Sequence, residues 1–218
     1  MFVGVFMRYD LHIHTHDSAC SVLKPKTILK IAKRARLDGI AVVDHNTTKG
    51  GKEVYKLNKD KDFEVIPGIE VSTDRGHVLG LYVNEEIKSR DFFKVSDEIK
   101  EQGGIVIIAH PFRILPQLRS HFEGVNVSKF LDGVECYNAR TSYFGNRDAI
   151  KFALKNNLAK TGGSDSHFSF EIGRCVTLFD GDLRKAIKLR STKVSGSNIT
   201  GLAGSVFSFF NKHLLRRW

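Results

Sequence analysis

The sequence has little cysteine, and its three thiols lie far apart. Cys20, Cys136 and Cys175 are odd in number and form no CxxC pair. Neither a disulfide framework nor a zinc knuckle is therefore predicted. Cys136 and Cys175 stand in apolar runs, which is typical of small core residues.

Long apolar runs are also absent. The apolar opening segment, residues 1–7, is far too short to span a bilayer. It lacks the charged start and the cleavage site of a signal peptide. We therefore expect a cytoplasmic protein with no stable membrane insertion.

Two common catalytic motifs are missing. No GxxxxGK[ST] phosphate loop occurs, which argues against motor or kinase chemistry driven by a nucleotide. The run from Ser164 to His167 lacks the GxSxG elbow of a serine hydrolase, and a catalytic triad is assembled in space, not from adjacent residues.

What is present fits one soluble domain with a partner of negative charge. The 218 residues are 41% hydrophobic and 27% charged, as in ordinary globular proteins. The formal net charge of +10 favours polyanions such as nucleic acid. A solvated basic surface explains the charge equally well.

Apolar runs of strand length alternate with helical patterns, which predicts an α/β domain with a largely parallel sheet. The predicted strands are Arg8–His12, Gly39–Asp44, Val65–Ile69, Val78–Val83, Ile105–Ala109, Gly133–Tyr137, Leu158–Gly162 and Arg174–Leu178. The predicted helices are Pro25–Leu37, Phe92–Gln102, Thr141–Asn156 and Asp182–Leu189. We assign residues 1–190 to a catalytic domain and residues 191–218 to a basic and apolar tail, either loosely attached or forming a closing helix.

Histidines and carboxylates stand beside most of these strands, in six groups. They are Asp10-Leu11-His12-Ile13-His14, Asp44-His45, Glu70, His77, His110, and Asp165-Ser166-His167. Alternate residues of a strand share a face, so Asp10, His12 and His14 are predicted to point the same way, with Asp10 fixing the tautomer of a ring from behind.

Each group alone is weak evidence for a ligand, but six groups can meet at one rim. The carboxyl ends of parallel strands converge on the same edge of an α/β sheet. Imidazole and carboxylate, without paired thiolates, suit zinc, manganese or iron. Eight such ligands exceed the needs of one ion, so two or three divalent ions are predicted. Closely spaced ions can activate a water and hold the oxygens of a phosphate.

The motifs that carry these groups, in order, are DLHIHTHDS, VVDHN, IPGIEVS, GHVLGL, IIAHPFR and GGSDSH. Together they resemble the signature of the PHP (polymerase and histidinol phosphatase) superfamily over about residues 8 to 178. The resemblance implies a distorted (β/α)7 barrel and metal-dependent hydrolysis of phosphate esters. It is nearest to small stand-alone PHP phosphoesterases that act on nucleoside bisphosphates and on the 5′ ends of short RNA.

The resemblance also implies which residues hold each ion. One ion is assigned to His12, His14, Glu70 and Asp165, and Glu70 bridges to a second ion on His77 and His110. A third ion is assigned to His45 and His167. The family usually completes this third site with an Asp a few residues after the first His pair, where this sequence has Ala19 and Cys20. Either Asp17 or Cys20 takes the place of this Asp, or the third site binds its ion weakly. For Cys20, the simpler interpretation is a thiol that binds no metal.

Further residues are predicted to contact the substrate or move protons. Arg113 follows the His110 group, and a guanidinium binds phosphate in bidentate fashion. Asn138 and Arg140, which follow another strand, are candidates on the same reasoning. Asp165, His167 and His45 are candidates for proton transfer to the leaving oxygen. Asp165, His167, His45 and Arg113 are therefore the predicted catalytic residues.

The predicted function is hydrolysis of phosphate esters of nucleotides or short nucleic acid, of the nucleoside bisphosphate phosphatase or 5′-3′ exonuclease type. One alternative is a small-metabolite phosphatase that resembles histidinol phosphatase. Another is a non-catalytic nucleic-acid-binding or regulatory protein of the same family. Amide hydrolysis uses similar ligands, but arginines placed for phosphate argue against it. The sequence does not predict the oligomeric state.

Overall fold

Nine strands form a single curved sheet in the computed structural model, which describes residues 6–113 and 120–197. The strands are β1 (Met7–Ile13), β2 (Gly39–Val42), β3 (Glu64–Thr73), β4 (Gly76–Leu81), β5 (Ile105–Ile108), β6 (Gly133–Asn138), β7 (Ala159–Gly163), β8 (Cys175–Phe179) and β9 (Lys193–Gly196). Their order across the sheet is β7-β6-β5-β4-β3-β2-β1-β8-β9. All eight strands predicted from the sequence are present.

The described helices are α1 (Pro25–Arg34), α2 (Lys49–Leu57), α3 (Phe92–Glu101), α4 (Tyr143–Lys155) and α5 (Leu183–Leu189), with a short 3-10 turn at Val127–Lys129. Local signals set several of their ends. Pro25 opens α1, where its missing N–H costs no hydrogen bond. The Asp91 side chain accepts from Lys94 N at the start of α3, and Gly103, at a φ of +70°, follows its end.

The sheet is half parallel, so the prediction of a largely parallel sheet is wrong. The pairs β1–β2, β2–β3, β5–β6 and β6–β7 are parallel. The pairs β3–β4, β4–β5, β1–β8 and β8–β9 are antiparallel. The β3–β4 connection is a tight hairpin that leaves no room for a crossover helix, which forces β4 to reverse direction.

The sheet curls until β1 meets the end of β7. Ile13 bridges Ser166 in parallel fashion. His14 N donates to Ser166 O over 3.0 Å, and Ser166 N donates to His12 O over 3.2 Å. The result is a nearly closed α/β barrel, which confirms the predicted distorted barrel.

The interior and the outer face of the barrel have separate cores. Ile66 of β3 belongs to the interior cluster, whereas Ile69 and Val71 pack outward in the cluster that contains α3. Leu183 and Ile187 of α5 join the interior cluster. Each large apolar side chain buried in this way contributes about 1.5–3 kcal/mol. Apolar residues fill one end of the barrel, and the polar motifs lie at the other.

Helix α2 was missed because its sequence, KGGKEVYKL, has two glycines in its first turn. A Cβ on Gly50 would lie 2.1 Å from Asp44 Oδ2, and one on Gly51 would lie 2.8 Å from Val42 O. The glycines therefore let the helix approach β2 and its following loop closely, at a cost in helix propensity.

Strand β9 was also missed, since its four residues are mostly exposed and do not alternate. It pairs with β8 and extends the sheet beyond residue 190, where the predicted domain boundary lies. Residues 198–218, most of the predicted tail, lie outside the described residues. Among the described helices, none has both the length and the apolar character needed to cross a membrane.

Candidate metal centre

Eight predicted ligands converge on one rim of the barrel, each beside the end of a strand. Seven lie near the ends of strands of one direction or follow them: His12, His14, His45, Glu70, His110, Asp165 and His167. The eighth, His77, stands near the beginning of β4. Because β4 runs antiparallel to β3, its beginning lies at the same rim where β3 ends, and Ser72 of β3 pairs with His77.

The Glu70 carboxylate is the centre of this cluster. It is buried, and its two oxygens face different histidines. Oε1 lies 2.8 Å from His77 Nδ1 and 3.1 Å from His110 Nε2. Oε2 lies 2.9 Å from His45 Nδ1, 3.3 Å from His14 Nε2 and 3.4 Å from His12 Nε2. A carboxylate placed in this way can bridge two adjacent ions.

Asp165 adds a second carboxylate beside the first histidine pair. Its Oδ1 lies 3.3 Å from His14 Nε2 and 3.7 Å from His12 Nε2. His14 also stands beside His167 and His45, with ring centroids 4.4 and 4.5 Å away. The predicted ligands of all three ions thus form one continuous cluster.

The donor set fits divalent metal ions. Four overlapping groups have ligand atoms within 4.8 Å of one another: His14, His45 and His167; His12, His14 and Asp165; His12, Glu70 and His110; and His45, Glu70 and His77. His110 Nδ1 is buried and has no hydrogen-bond partner among the described residues. Imidazole nitrogens and carboxylate oxygens at such spacing match the preferences of zinc, manganese and iron.

Electrostatics hold Glu70 in its charged, ligating form. Burial raises the pKa of a carboxyl, but His45, His12 and His77 outweigh it and hold the pKa of Glu70 well below its usual value. Burial likewise lowers the pKa of His45, yet the Glu70 carboxylate raises it to about 9. For His12, burial is outweighed by Glu135, Asp165 and Glu70, which raise its pKa well above the usual value.

Asp165 is also held ionised, whereas two histidines are held neutral. Burial opposes ionisation of Asp165, but Arg113 and His12 keep its pKa well below the usual value. Burial, with Arg113 adding to it, lowers the pKa of His110 to about 4. Burial and the nearby His14 lower the pKa of His167 well below its usual value. Neutral imidazole is the form that binds a metal ion.

Two of the predicted ligands occupy the left-handed backbone region. His110 has a φ of +30° and Asp165 a φ of +54°. Residues with a Cβ rarely adopt this conformation, and such strain concentrates at functional sites. Here it turns the chain sharply after β5 and β7 and directs both side chains toward Glu70 and His14.

The residue that positions His12 is Glu135 and not Asp10. Asp10 accepts from Ser164 N and Gly173 N, both over 2.8 Å, and contacts no imidazole ring. The prediction for Asp10 is therefore wrong, because its side chain ties down the loop after β7. Glu135 Oε1 instead lies 2.9 Å from His12 Nδ1. A carboxylate within the apolar run GVECYN was the available signal.

Ser18 and Asp44 support His14 in a comparable way. His14 Nδ1 lies 3.2 Å from Ser18 Oγ, which donates to Asp44 Oδ1 over 2.6 Å. Asp44 is fully buried and also accepts from Thr15 N over 2.7 Å. Neither contact was predicted, since both depend on the loop after β1 folding over the end of β2.

Of the predicted substrate contacts, Arg113 lies beside the cluster and the other two serve different roles. Arg113 Nη2 donates to Asp165 Oδ2 over 2.6 Å. Asn138 is fully buried, and its Nδ2 donates to Glu135 Oε2 over 3.0 Å. Its predicted substrate contact is therefore corrected to a positioning role.

Arg140 requires the same correction. Its Nε and Nη2 both donate to Glu171 over 2.9 Å, in a buried bidentate pair. Glu171 Oε2 in turn accepts from His167 N over 2.8 Å. Arg140 is thus committed to holding the loop that carries His167.

The two candidates for the missing third-site Asp differ in position. Asp17 Oδ1 lies 3.3 Å from Lys49 Nζ. Neither Asp17 nor Cys20 belongs to the ligand groups found in the described part of the chain. Cys20 Sγ lies 3.0 Å from His167 Nε2. Cys136 and Cys175 are fully buried core residues, as predicted.

Comparison with known proteins gives related sequences and folds. A family model described as PHP-associated matches residues 145–192. The uncharacterised protein MJ1587 of Methanocaldococcus jannaschii is 39% identical over 145 residues, which cover 61% of this chain and 82% of that protein. A 5′-3′ exoribonuclease of Haemophilus influenzae is 36% identical over 78 residues, 34% of this chain and 28% of that enzyme.

A solved structure shares the architecture. The structure of a proposed metal-dependent phosphoesterase of Bifidobacterium adolescentis superposes with a TM-score of 0.66 at 18% identity, covering 88% of this chain and 98% of the other. The sequence match to the archaeal protein, the family model and the shared barrel agree with the motifs that carry the cluster. The chain belongs to the PHP superfamily.

Proposed function

We propose that this chain is a metal-dependent hydrolase of phosphate esters, with nucleotides or short nucleic acid as its substrates. The observation that carries the proposal is the buried Glu70 carboxylate, which divides its two oxygens between two sets of imidazoles. A single structural ion would need four ligands and no such bridge.

The residues of the cluster divide among the ions as the resemblance implies. His12, His14, Glu70 and Asp165 would hold one ion, Glu70, His77 and His110 a second, and His45 and His167 a third. When bound, paired divalent ions activate a water and neutralise the charge that develops on phosphoryl oxygens. Manganese, zinc and iron all suit these ligands.

Arg113 is proposed to orient the substrate. It reaches Asp165 from the side of the cluster, and its side chain is 17% exposed. A guanidinium carries five donors, so it can keep its bond to Asp165 and still donate to a phosphate oxygen. A phosphate held in this way would be fixed beside the proposed metal ligands.

Among the three candidates for proton transfer, His45 is the most accessible. Its side chain is 31% exposed, against 3% for Asp165 and 4% for His167. His45 is therefore the candidate most open to a bound substrate. We assign proton delivery to His45 in the form of the protein in which no third ion occupies that ring.

Two features support nucleic acid as the substrate: a pair of aromatic rings at the rim and the overall net charge. Phe168 directly follows His167, and its ring stacks on Phe170 with centroids 5.8 Å apart and planes 9° apart. Phe170 is 44% exposed. Exposed aromatic rings stack on bases of a single strand. The net charge of +10 attracts the phosphate backbone, and one relative is named as an exoribonuclease.

A panel of substrates tests the proposal. The chelator-treated protein would be reloaded with Mn²⁺, Zn²⁺ or Fe²⁺, and its ions counted by elemental analysis. Each form would then be assayed on 3′,5′-bisphosphonucleosides, 5′-phosphorylated oligonucleotides and histidinol phosphate. We expect at least two ions per chain and the highest kcat/KM on the nucleotide substrates.

The outcome separates the alternatives. Highest turnover of histidinol phosphate would instead identify a small-metabolite phosphatase. Two bound ions without turnover of any phosphate ester would overturn the proposed activity. Fewer than one ion per chain, together with binding of an oligonucleotide, would favour the non-catalytic alternative.

A further inference from the structure

The loop that carries Cys20 is fastened to both histidines of the proposed third site. Just before Cys20, Ser18 Oγ accepts from His45 N over 3.0 Å. Just after it, Ser21 Oγ and Val22 N both donate to His167 O over 3.2 Å. The thiol is therefore held between the two strand ends that present His45 and His167, without relying on its own contacts.

The Cys20 side chain points at one of these imidazoles. Its Sγ lies 3.0 Å from His167 Nε2. Independently of the thiol, the nitrogens of His14, His45 and His167 lie close enough together to hold one ion. The thiol thus joins a group of imidazoles that is already suited to a metal, and it remains partly exposed to solvent.

We propose that Cys20 is a ligand of the third metal ion, with His45 and His167, and that its sulfur gives this site a preference for thiophilic ions. The inference rests on the proposed metal-dependent function. Thiolate sulfur and imidazole nitrogen are both common ligands of zinc, and soft sulfur ligands disfavour manganese and magnesium. The first two sites, built from nitrogen and oxygen, lack this preference. Ligation at the third site would also remove His45 from proton delivery.

Cobalt spectroscopy tests the assignment without measuring activity. The full-length, metal-free protein would be titrated with Co²⁺ under a phosphine reductant, and thiolate-to-cobalt charge-transfer absorption recorded in the near ultraviolet. We expect the band in the wild type and its loss in Cys20→Ser, with one fewer Co²⁺ bound per chain. Cys20→Asp should restore the ion count without restoring the band.

Cys136→Ala is the matched control. Burial raises the pKa of this thiol to about 12, and Sγ donates to Ala149 O within the core. The control should keep the band. Absence of the band in the wild type, or its persistence in Cys20→Ser, would overturn the proposal.

A second measurement on the wild type guards against misfolding of the variants. Co²⁺ should slow alkylation of Cys20 by iodoacetamide at least tenfold, as followed by mass spectrometry. An unchanged rate would count against ligation. Phosphoester turnover is measured separately. If the protein shows the Cys20-dependent band but hydrolyses no phosphate ester, the proposed function is refuted and the assignment of Cys20 as a metal ligand still holds.

Discussion

Replacing Glu135 by glutamine should weaken metal binding although it replaces none of the predicted ligands. The Glu135 carboxylate lies 2.9 Å from His12 Nδ1 and accepts from His110 N over 2.9 Å and from Asn138 Nδ2 over 3.0 Å. It therefore fixes the proton of His12 on Nδ1 and leaves Nε2 free to face Glu70. Glutamine has nearly the same volume but only one oxygen.

The size of the effect follows from these contacts. If the amide oxygen serves His110 and Asn138, the amide N–H₂ faces His12 Nδ1 and favours the tautomer with a proton on Nε2. That ring can no longer ligate through Nε2. A hydrogen bond to a charged group contributes about 1.5–3 kcal/mol, so metal affinity should fall by about 10- to 100-fold, the range found for such outer partners.

The assay is competition with a chelator, followed by kcat at saturating metal. Glu64→Gln is the matched control, since Glu64 lies on β3, the strand of Glu70, and accepts from Tyr9 and Tyr82 hydroxyls at the opposite end of the barrel. It lies six positions before Glu70 along the strand, roughly 20 Å away. The control should keep the affinity of the wild type. Equal affinity in the two variants would refute the positioning role of Glu135.

Three further predictions concern Arg113, Phe170 and Arg140. Arg113→Met should raise KM for every phosphorylated substrate by about tenfold or more, because a charge-assisted bond is lost, while elemental analysis still finds two ions; an unchanged KM would contradict substrate contact. Phe170→Ala should raise KM about 5- to 150-fold for a 5′-phosphorylated oligonucleotide, the equivalent of ~1–3 kcal/mol of base stacking, but should leave a bisphosphonucleoside unaffected; equal changes would exclude stacking. Arg140→Met should destabilise the fold by about 3–5 kcal/mol in urea unfolding, because Glu171 loses its buried partner; a raised KM with unchanged stability would restore Arg140 as a substrate contact.

Local patterns in the sequence determined the elements and the ligand candidates. Apolar runs rich in Val and Ile identified eight strands, because buried strands require them whatever the topology. The His-x-His spacing of His12 and His14 placed both rings on one face, since strand geometry repeats every two residues. Helix α2 was not predicted because Gly50 and Gly51 lower its helix propensity. Both glycines are required by the close packing of this helix against β2 and its following loop.

The partner of each polar side chain was decided only by the tertiary structure. Asp10 and Glu135 are both buried carboxylates on strands, yet only Glu135 faces an imidazole. The closing of the barrel leaves only β7 between β6 and β1, and Gly163 of β7 leaves room for the contact. Arg113 and Arg140 both follow strand ends, yet Arg140 turns to Glu171. A long side chain can reach several neighbours, and the one that it contacts depends on how distant parts of the chain pack together.

The direction of β4 was likewise decided by the tertiary structure and not by the local sequence. The sequence by itself determined that His77 opens a strand, and in an all-parallel sheet that end would lie at the rim opposite Glu70. The tertiary structure reverses β4 and brings His77 Nδ1 within 2.8 Å of Glu70. Direction depends on the length of the β3–β4 connection and on pairing with both neighbours. The sequence therefore supplied the candidate ligands, and the closing of the barrel brought them together.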